Sequence, residues 1–162
     1  DGCYVDAKAK PYEDFIRTFY KKCEFVDDLT KVDVPANKFT VLFPNNDALD
    51  RIDTYRERIG GSFQYCCGGI MWIDIMPEGV SKGSALERVS QIMGIDTADM
   101  AAFGDAPNDA EMLDTVGFGY MMANAVPEMR EHARYVAPSN EDRGVLTVMD
   151  QIVAARRAML DA

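Results

Sequence analysis

Met100-Ala101-Ala102-Phe103-Gly104-Asp105-Ala106-Pro107-Asn108-Asp109 is a short apolar run that passes into a glycine, then into two carboxylates and an amide. The apolar part predicts a strand over 100–103, and the residues after it a turn and a helix over 109–115. Gly104 allows close backbone approach or a positive φ. Asn108 or Asp109 suits the cap of the following helix. Capping leaves Asp105 unexplained, because it stands before the turn.

The pattern repeats outward from this run. Upstream, residues 81–93 predict a helix with Ala85, Leu86, Val89, Ile92 and Met93 as its apolar stripe, closed by Gly94. Downstream, 118–123 and 135–137 predict strands, 127–133 a helix and 145–160 a final helix. Met121 and Met122 are expected in the core. Helices and strands alternating through short turns predict an α/β fold, a parallel sheet flanked by helices. Ligands bind such sheets at the carboxyl ends of the strands, where Asp105 is placed.

The first part of the chain reads differently. A helix is expected over 11–22 and a strand over 39–43. A helix over 47–59 carries Leu49, Ile52 and Ile59 on one side, stopped by Gly60-Gly61. Residues 62–67 and 70–76 predict a hairpin joined by Gly68-Gly69. No Lys-Ser/Thr follows those glycines, so they do not form a phosphate loop. Trp72 is expected to pack in the core. Pro77-Glu78-Gly79 marks a boundary between 1–76 and 77–162.

Composition sets limits. The 162 residues are 48% hydrophobic and 27% charged, which excludes disordered and collagen-like classes. The net charge of −10 argues against nucleic acid or an anionic membrane as partner, since both require a basic face. No apolar run approaches the roughly 20 residues of a membrane span. Between Val89 and Met129 there is no Lys or Arg, while seven acids lie there, including Asp105 and Asp109. Cys3, Cys23, Cys66 and Cys67 form no CxxC and have no neighbouring His, so buried reduced thiols in a cytoplasmic protein are expected rather than zinc. His132, the single histidine, lacks a Gly-x-Ser-x-Gly partner and is expected on the surface.

Asp105 and Asp109 are hard oxygen ligands with no base near them in sequence. They suit a Mg²⁺ that keeps several waters; without a cation they would repel each other. In Gly79-Val80-Ser81-Lys82-Gly83-Ser84, Lys82 opens a helix, where the macrodipole disfavours a cation and an anionic partner is needed. A metal site beside a fixed cation is what phosphoryl transfer requires.

Val80-Ser81-Lys82-Gly83, then Gly104-Asp105 with Asn108-Asp109, then Ala123-Asn124-Ala125, resembles the haloacid-dehalogenase superfamily, within it the Cof-type or type IIB phosphatases. Lys82 matches the third motif. Gly104, Asp105, Asn108 and Asp109 match the fourth, Gly-Asp-x-x-Asn-Asp. Asn140-Glu141-Asp142-Arg143-Gly144-Val145 is similar to an Asn-Glu-Asp-Gly-Val ending with Arg143 inserted or substituted. The resemblance is specific over 77–148 and looser over 38–76.

The resemblance implies a Mg²⁺-dependent phosphatase of small phosphorylated metabolites working through an aspartyl-phosphate. Asp105 would ligate Mg²⁺, Asp109 would ligate it through water or orient the site, Asn108 would help place the phosphate or the metal's waters, and Lys82 would pair with the phosphate and the nucleophilic aspartate. Residues 1–76 would be the remainder of an α/β cap and 77–162 the C-terminal half of a Rossmann-like core. The family's Asp-x-Asp-Gly-Thr nucleophile motif is absent from this chain; Asp1-Gly2 does not match it, having Cys3 where Thr would stand. The expectation is therefore a C-terminal portion, inactive alone, that needs the preceding part of the same protein. The alternative is a non-catalytic Mg²⁺- or phosphate-binding module or interaction fragment; a structural α/β fragment with a vacant site is the third reading.

Overall fold

The computed structural model describes residues 2–161; Asp1 lies outside them, and with it part of the Asp1-Gly2 comparison. The chain forms two compact units, one ending at Ala36 and one beginning at Asn37.

In the first unit, strands β1 (Cys3–Asp6) and β2 (Cys23–Val26) pair in parallel, with Cys3 opposite Cys23. Neither strand was foreseen. The helix expected over 11–22 is split into a 3₁₀ stretch at Ala7–Tyr12 and α1 (Glu13–Phe19). The Asp6 side chain accepts from the Lys8 N–H and starts the 3₁₀ turn, and Glu13 pairs with Lys10 and Arg17. Ile16 is the buried residue of α1.

The second unit contains two sheets. The first is antiparallel, in the order β3 (Phe39–Leu42), β5 (Trp72–Pro77), β4 (Phe63–Cys67). Helix α2 (Ala48–Ile59) covers one face and ends at Gly60 with φ 62°. Phe43, Ala48, Tyr65, Cys67, Ile73 and Ile75 form that core, with Ile52 and Tyr55 against it. Leu49 and Ile59, expected on the buried side, are exposed. The hairpin forms, but its connection is residues 68–71 rather than two glycines. Ile70 and Met71 leave the strand because their carbonyls accept from the Ala48 and Phe43 N–H groups, at 3.1 and 2.8 Å. Side chains alternate across a strand, so Trp72 and Asp74 lie on the face opposite Ile73 and Ile75. Trp72 is thus half-buried outside that core, a correction to the expected packing.

The second sheet is parallel, in the order β6 (Ala101–Gly104), β7 (Phe118–Met122), β8 (Tyr135–Ala137). Phe103, Tyr120 and Tyr135 are in register and stack at centroid distances of 5.1 and 5.0 Å. Helix α3 (Lys82–Met93) and α4 (Ala110–Thr115) pack against one another and α4 against β6 and β7. Ala102, Leu113, Val116 and Met129 form the core there, with Leu86 and Met121 against it. Met122, Ala137 and Val148 form another, under α5 (Gly144–Leu160). Met121 and Met122 therefore pack as expected.

Two expectations need correction. Residues 127–131 form a 3₁₀ helix, Pro127–Glu131, in place of an α-helix: no side chain caps its start, and the closing His132 N–H bonds to Met129. The α3 stripe is also only partly used. Leu86 packs inward, whereas Val89, Ile92 (72% exposed) and Met93 face solvent.

Gly83 sets the spacing of α3 and α4. A Cβ there would fall 2.7 Å from Glu111 Cγ and 3.0 Å from its backbone carbonyl atoms. Gly83→Ala gains about 1 kcal/mol of helix propensity. Overpacking against backbone costs about 1–3 kcal/mol. The net expected is a lower urea midpoint at unchanged slope; a raised midpoint would disprove the close approach.

Candidate active site

The site is built at the carboxyl end of β6. That strand runs to Gly104, and Pro107–Asp109 form a single 3₁₀ turn leading into α4. The Asp109 N–H bonds back to the Ala106 carbonyl at 2.8 Å, which draws the Asp109 side chain under the strand end. Its Oδ2 accepts from the Asp105 and Ala106 N–H groups at 3.0 and 3.2 Å. Its Oδ1 accepts from Lys82 Nζ. Asp109 is 4% exposed and is the one buried charged residue among the described residues. Both of its oxygens are engaged, so the pair expected to converge divides: Asp109 is committed to protein partners, and Asp105 is exposed.

Lys82 is the first residue of α3, with Ser81 as its cap. The Ser81 side chain accepts from the Ser84 N–H, and Ser84 Oγ accepts from the Ser81 N–H, a reciprocal cap with serine in place of the usual Glu or Gln. The anionic partner that a cation at a helix start requires is Asp109, 27 positions away in the chain.

Asp105 and Asn108 supply the remaining oxygens. Among the described residues no protein group hydrogen-bonds the Asp105 carboxylate, while the Asp105 backbone carbonyl accepts from Val126 at 3.2 Å. Asn108 Oδ1 is buried without a partner. A buried amide oxygen without a donor is costly unless a ligand or water completes it. An exposed carboxylate and an orphaned amide oxygen are hard donors, and they fit a Mg²⁺ ion with most of its waters retained. Among the described residues no three His, Cys, Asp or Glu side chains gather to hold a metal by themselves.

The loops after β7 and β8 meet at the same sheet end. Asn124 Oδ1 accepts from the Asn140 N–H at 3.0 Å. Sequence reading noted Asn124 only as part of a motif; its work as a loop clamp needed the fold. Gly144 has no room for a side chain, since a Cβ would fall 1.9 Å from the Pro138 carbonyl oxygen. Arg143, just before it, is held at φ 56°, ψ 38°.

The other candidates fall elsewhere. His132 bonds Asp114 at 2.8 Å and sits half-buried at the surface. Of the four cysteines, expected to be buried, only Cys67 is fully so; Cys3, Cys23 and Cys66 are half-buried. Burial pushes the Cys66 thiol up, Asp74 adds to the effect, and Lys38 and Lys82 oppose it.

Residues 1–149 match the family described as haloacid dehalogenase-like hydrolase. This chain belongs to that family, as a Cof-type member. It is 31% identical over 148 residues to the 5-amino-6-(5-phospho-D-ribitylamino)uracil phosphatase YbjI of Escherichia coli, covering 89% of this chain and 55% of that protein. It is 33% identical over 136 residues to the HMP-PP phosphatase of Yersinia enterocolitica, covering 81% and 48%. Its fold is similar to that of SMU.1108c from Streptococcus mutans, with a TM-score of 0.84 at 26% identity over 93% of this chain and 57% of that one. The haloacid dehalogenase-like chain thus spans about half the length of these relatives.

Proposed function

We propose that the full-length protein is a Mg²⁺-dependent phosphatase of small phosphorylated metabolites, and that Lys82, Asp105, Asn108 and Asp109 form part of its active site. The observation that carries this reading is Asp109. Tied to Lys82 and to two backbone N–H groups, it holds an ammonium at the crevice where Asp105 and Asn108 present unused oxygens. The YbjI and HMP-PP phosphatase relatives are named for small phosphorylated substrates, which supports the substrate class.

In this reading Asp105 would ligate the ion, and Asp109 would act on it through water or by orientation. When bound, Mg²⁺ would offset charge on the phosphoryl oxygens. Lys82 would pair with the phosphate and remain fixed as charge develops. Asn108 would orient the phosphate or the metal's waters. The attacking carboxylate is assigned to a strand that would extend the sheet at β6, whose hydrogen-bonded neighbour among the described residues is β7 alone. The exposed faces of Val89, Ile92 and Met93 support the need for such a segment. Residues 1–76 would belong to the cap and 77–162 to the core, with this chain inactive by itself. The setting would be cytoplasmic, where thiols such as the buried Cys67 stay reduced. No helix of the described residues is long and apolar enough to cross a membrane.

The test is a calorimetric Mg²⁺ titration of the full-length protein and its Asp105→Asn variant, paired with hydrolysis of an aryl phosphate. Mg²⁺ affinity is expected to fall about tenfold or more, with loss of turnover. Unchanged affinity would remove Asp105 from the metal site. Mg²⁺ binding without turnover of any phosphate ester would favour the non-catalytic binding module.

A further inference from the structure

The face of the antiparallel sheet turned away from α2 carries a polar set that the active-site reading does not use. Thr40, Asp74 and Cys66 lie in register across β3, β5 and β4. Asp74 Oδ1 accepts from Thr40 Oγ1 at 2.7 Å, and Oδ2 accepts from Lys38 Nζ at 3.1 Å. The carboxylate is locked at both oxygens, and its side chain is 16% exposed. A carboxylate has about four acceptor positions, so two remain for a ligand's donors.

This face is directed at the catalytic turn. Cys66 and Gly68 are two residues apart on one face of β4, continued into the connection that follows it. A Cβ built on Gly68 would lie 3.7 Å from Asn108 Nδ2. The Cys66 thiol also feels the charge of Lys82 together with those of Asp74 and Lys38. The Cys66 end of the Thr40–Asp74–Cys66 row therefore leads toward the turn that carries Asn108.

We propose that Asp74 is a specificity-determining residue that accepts hydrogen bonds from the non-phosphate part of the substrate, selecting donor-rich leaving groups such as polyols over plain aromatic ones. This rests on the phosphatase reading for the location of the phosphate. Each Asp74 oxygen keeps an acceptor position that a donor-bearing leaving group fills and an apolar one does not, and a site built to hydrogen-bond a ligand discriminates against analogues that lack the donor. Thr40 and Lys38 act as positioning residues: they fix the carboxylate, so little is lost in ordering it on binding.

The experiment measures dissociation constants of the full-length protein for a linear pentitol phosphate and for phenyl phosphate by calorimetry. The wild-type protein is expected to favour the pentitol phosphate, and Asp74→Asn to lower that preference about tenfold. Thr40→Val, which frees one carboxylate oxygen but keeps the charge, is expected to lower it by less. A wild-type protein with no preference overturns the proposal, as does an Asp74→Asn variant whose preference is unchanged. If both ligands bind but no ester is hydrolysed, the phosphatase reading fails while the affinities still decide the role of Asp74.

Discussion

Lys82→Met in the full-length protein is expected to reduce kcat for an aryl phosphate about a hundred- to a thousandfold, the effect of removing one preorganised charge from a transition state. The substitution keeps an unbranched apolar stem of the same length, with sulfur in place of one methylene, and removes the ammonium. Asp109, 4% exposed, would keep its two backbone N–H partners and lose its cation. The Lys82 side chain is 49% exposed, so solvent screens the pair and the stability cost is held to about 1–2 kcal/mol. Activity should therefore collapse in a protein that still folds, read as a near-normal thermal midpoint beside a lost rate. A kcat/KM within tenfold of wild type would place Lys82 outside the reaction. The same reasoning makes Asp109→Asn the informative companion. It retains an acceptor for the backbone N–H groups but no longer attracts the ammonium, so Lys82 should wander and turnover should fall with it.

The second large effect is expected at Gly104→Ala. Gly104 ends β6 and is buried, and a Cβ there would lie 2.5 Å from Asp109 Cβ, 3.0 Å from its Cγ and 3.1 Å from its Oδ2. Real Cβ atoms do not approach other atoms that closely. Asp109 cannot step aside cheaply, because its backbone is tied to Ala106 and its carboxylate to three donors. Either β6 or the turn must shift, at about 1–3 kcal/mol. A shift of that kind displaces Lys82 and Asn108 relative to Asp105, and a 1 Å misplacement of catalytic groups costs about a hundredfold in rate. Gly104→Ala should therefore lose most activity and some stability together. Full activity in this variant would show that the Gly104–Asp109 contact does not position the site.

Much of the second unit was legible from the chain because its signals are local. The apolar run into Gly104, the serine cap at Ser81 and the left-handed Gly94 lie within a few residues of the elements they bound, and β6, α3 and β8 fall where those signals put them. The 3₁₀ segment at Pro127–Glu131 misled because its apolar spacing is helical while its start has no cap. Strands β1 and β2 were missed for another reason: each is four residues long, and their parallel pairing joins positions twenty residues apart.

Residue types and spacing were sufficient to nominate Lys82, Asp105, Asn108 and Asp109, since hard oxygens at a strand end and a lysine at a helix start each imply a charge partner. Only the fold showed that Asp109 is consumed by Lys82 and two backbone donors while Asp105 stays exposed. Only the sheet register brought Asp74 beside Thr40 and Cys66, on the face that continues to Asn108. Burial followed the same division. Periodicity marks a helix's apolar face, yet Leu86 is packed while Val89 and Ile92 on the same stripe are exposed. A side chain's pattern is written by its near neighbours in the chain, whereas its burial and its partners are set by surfaces that only folding brings together.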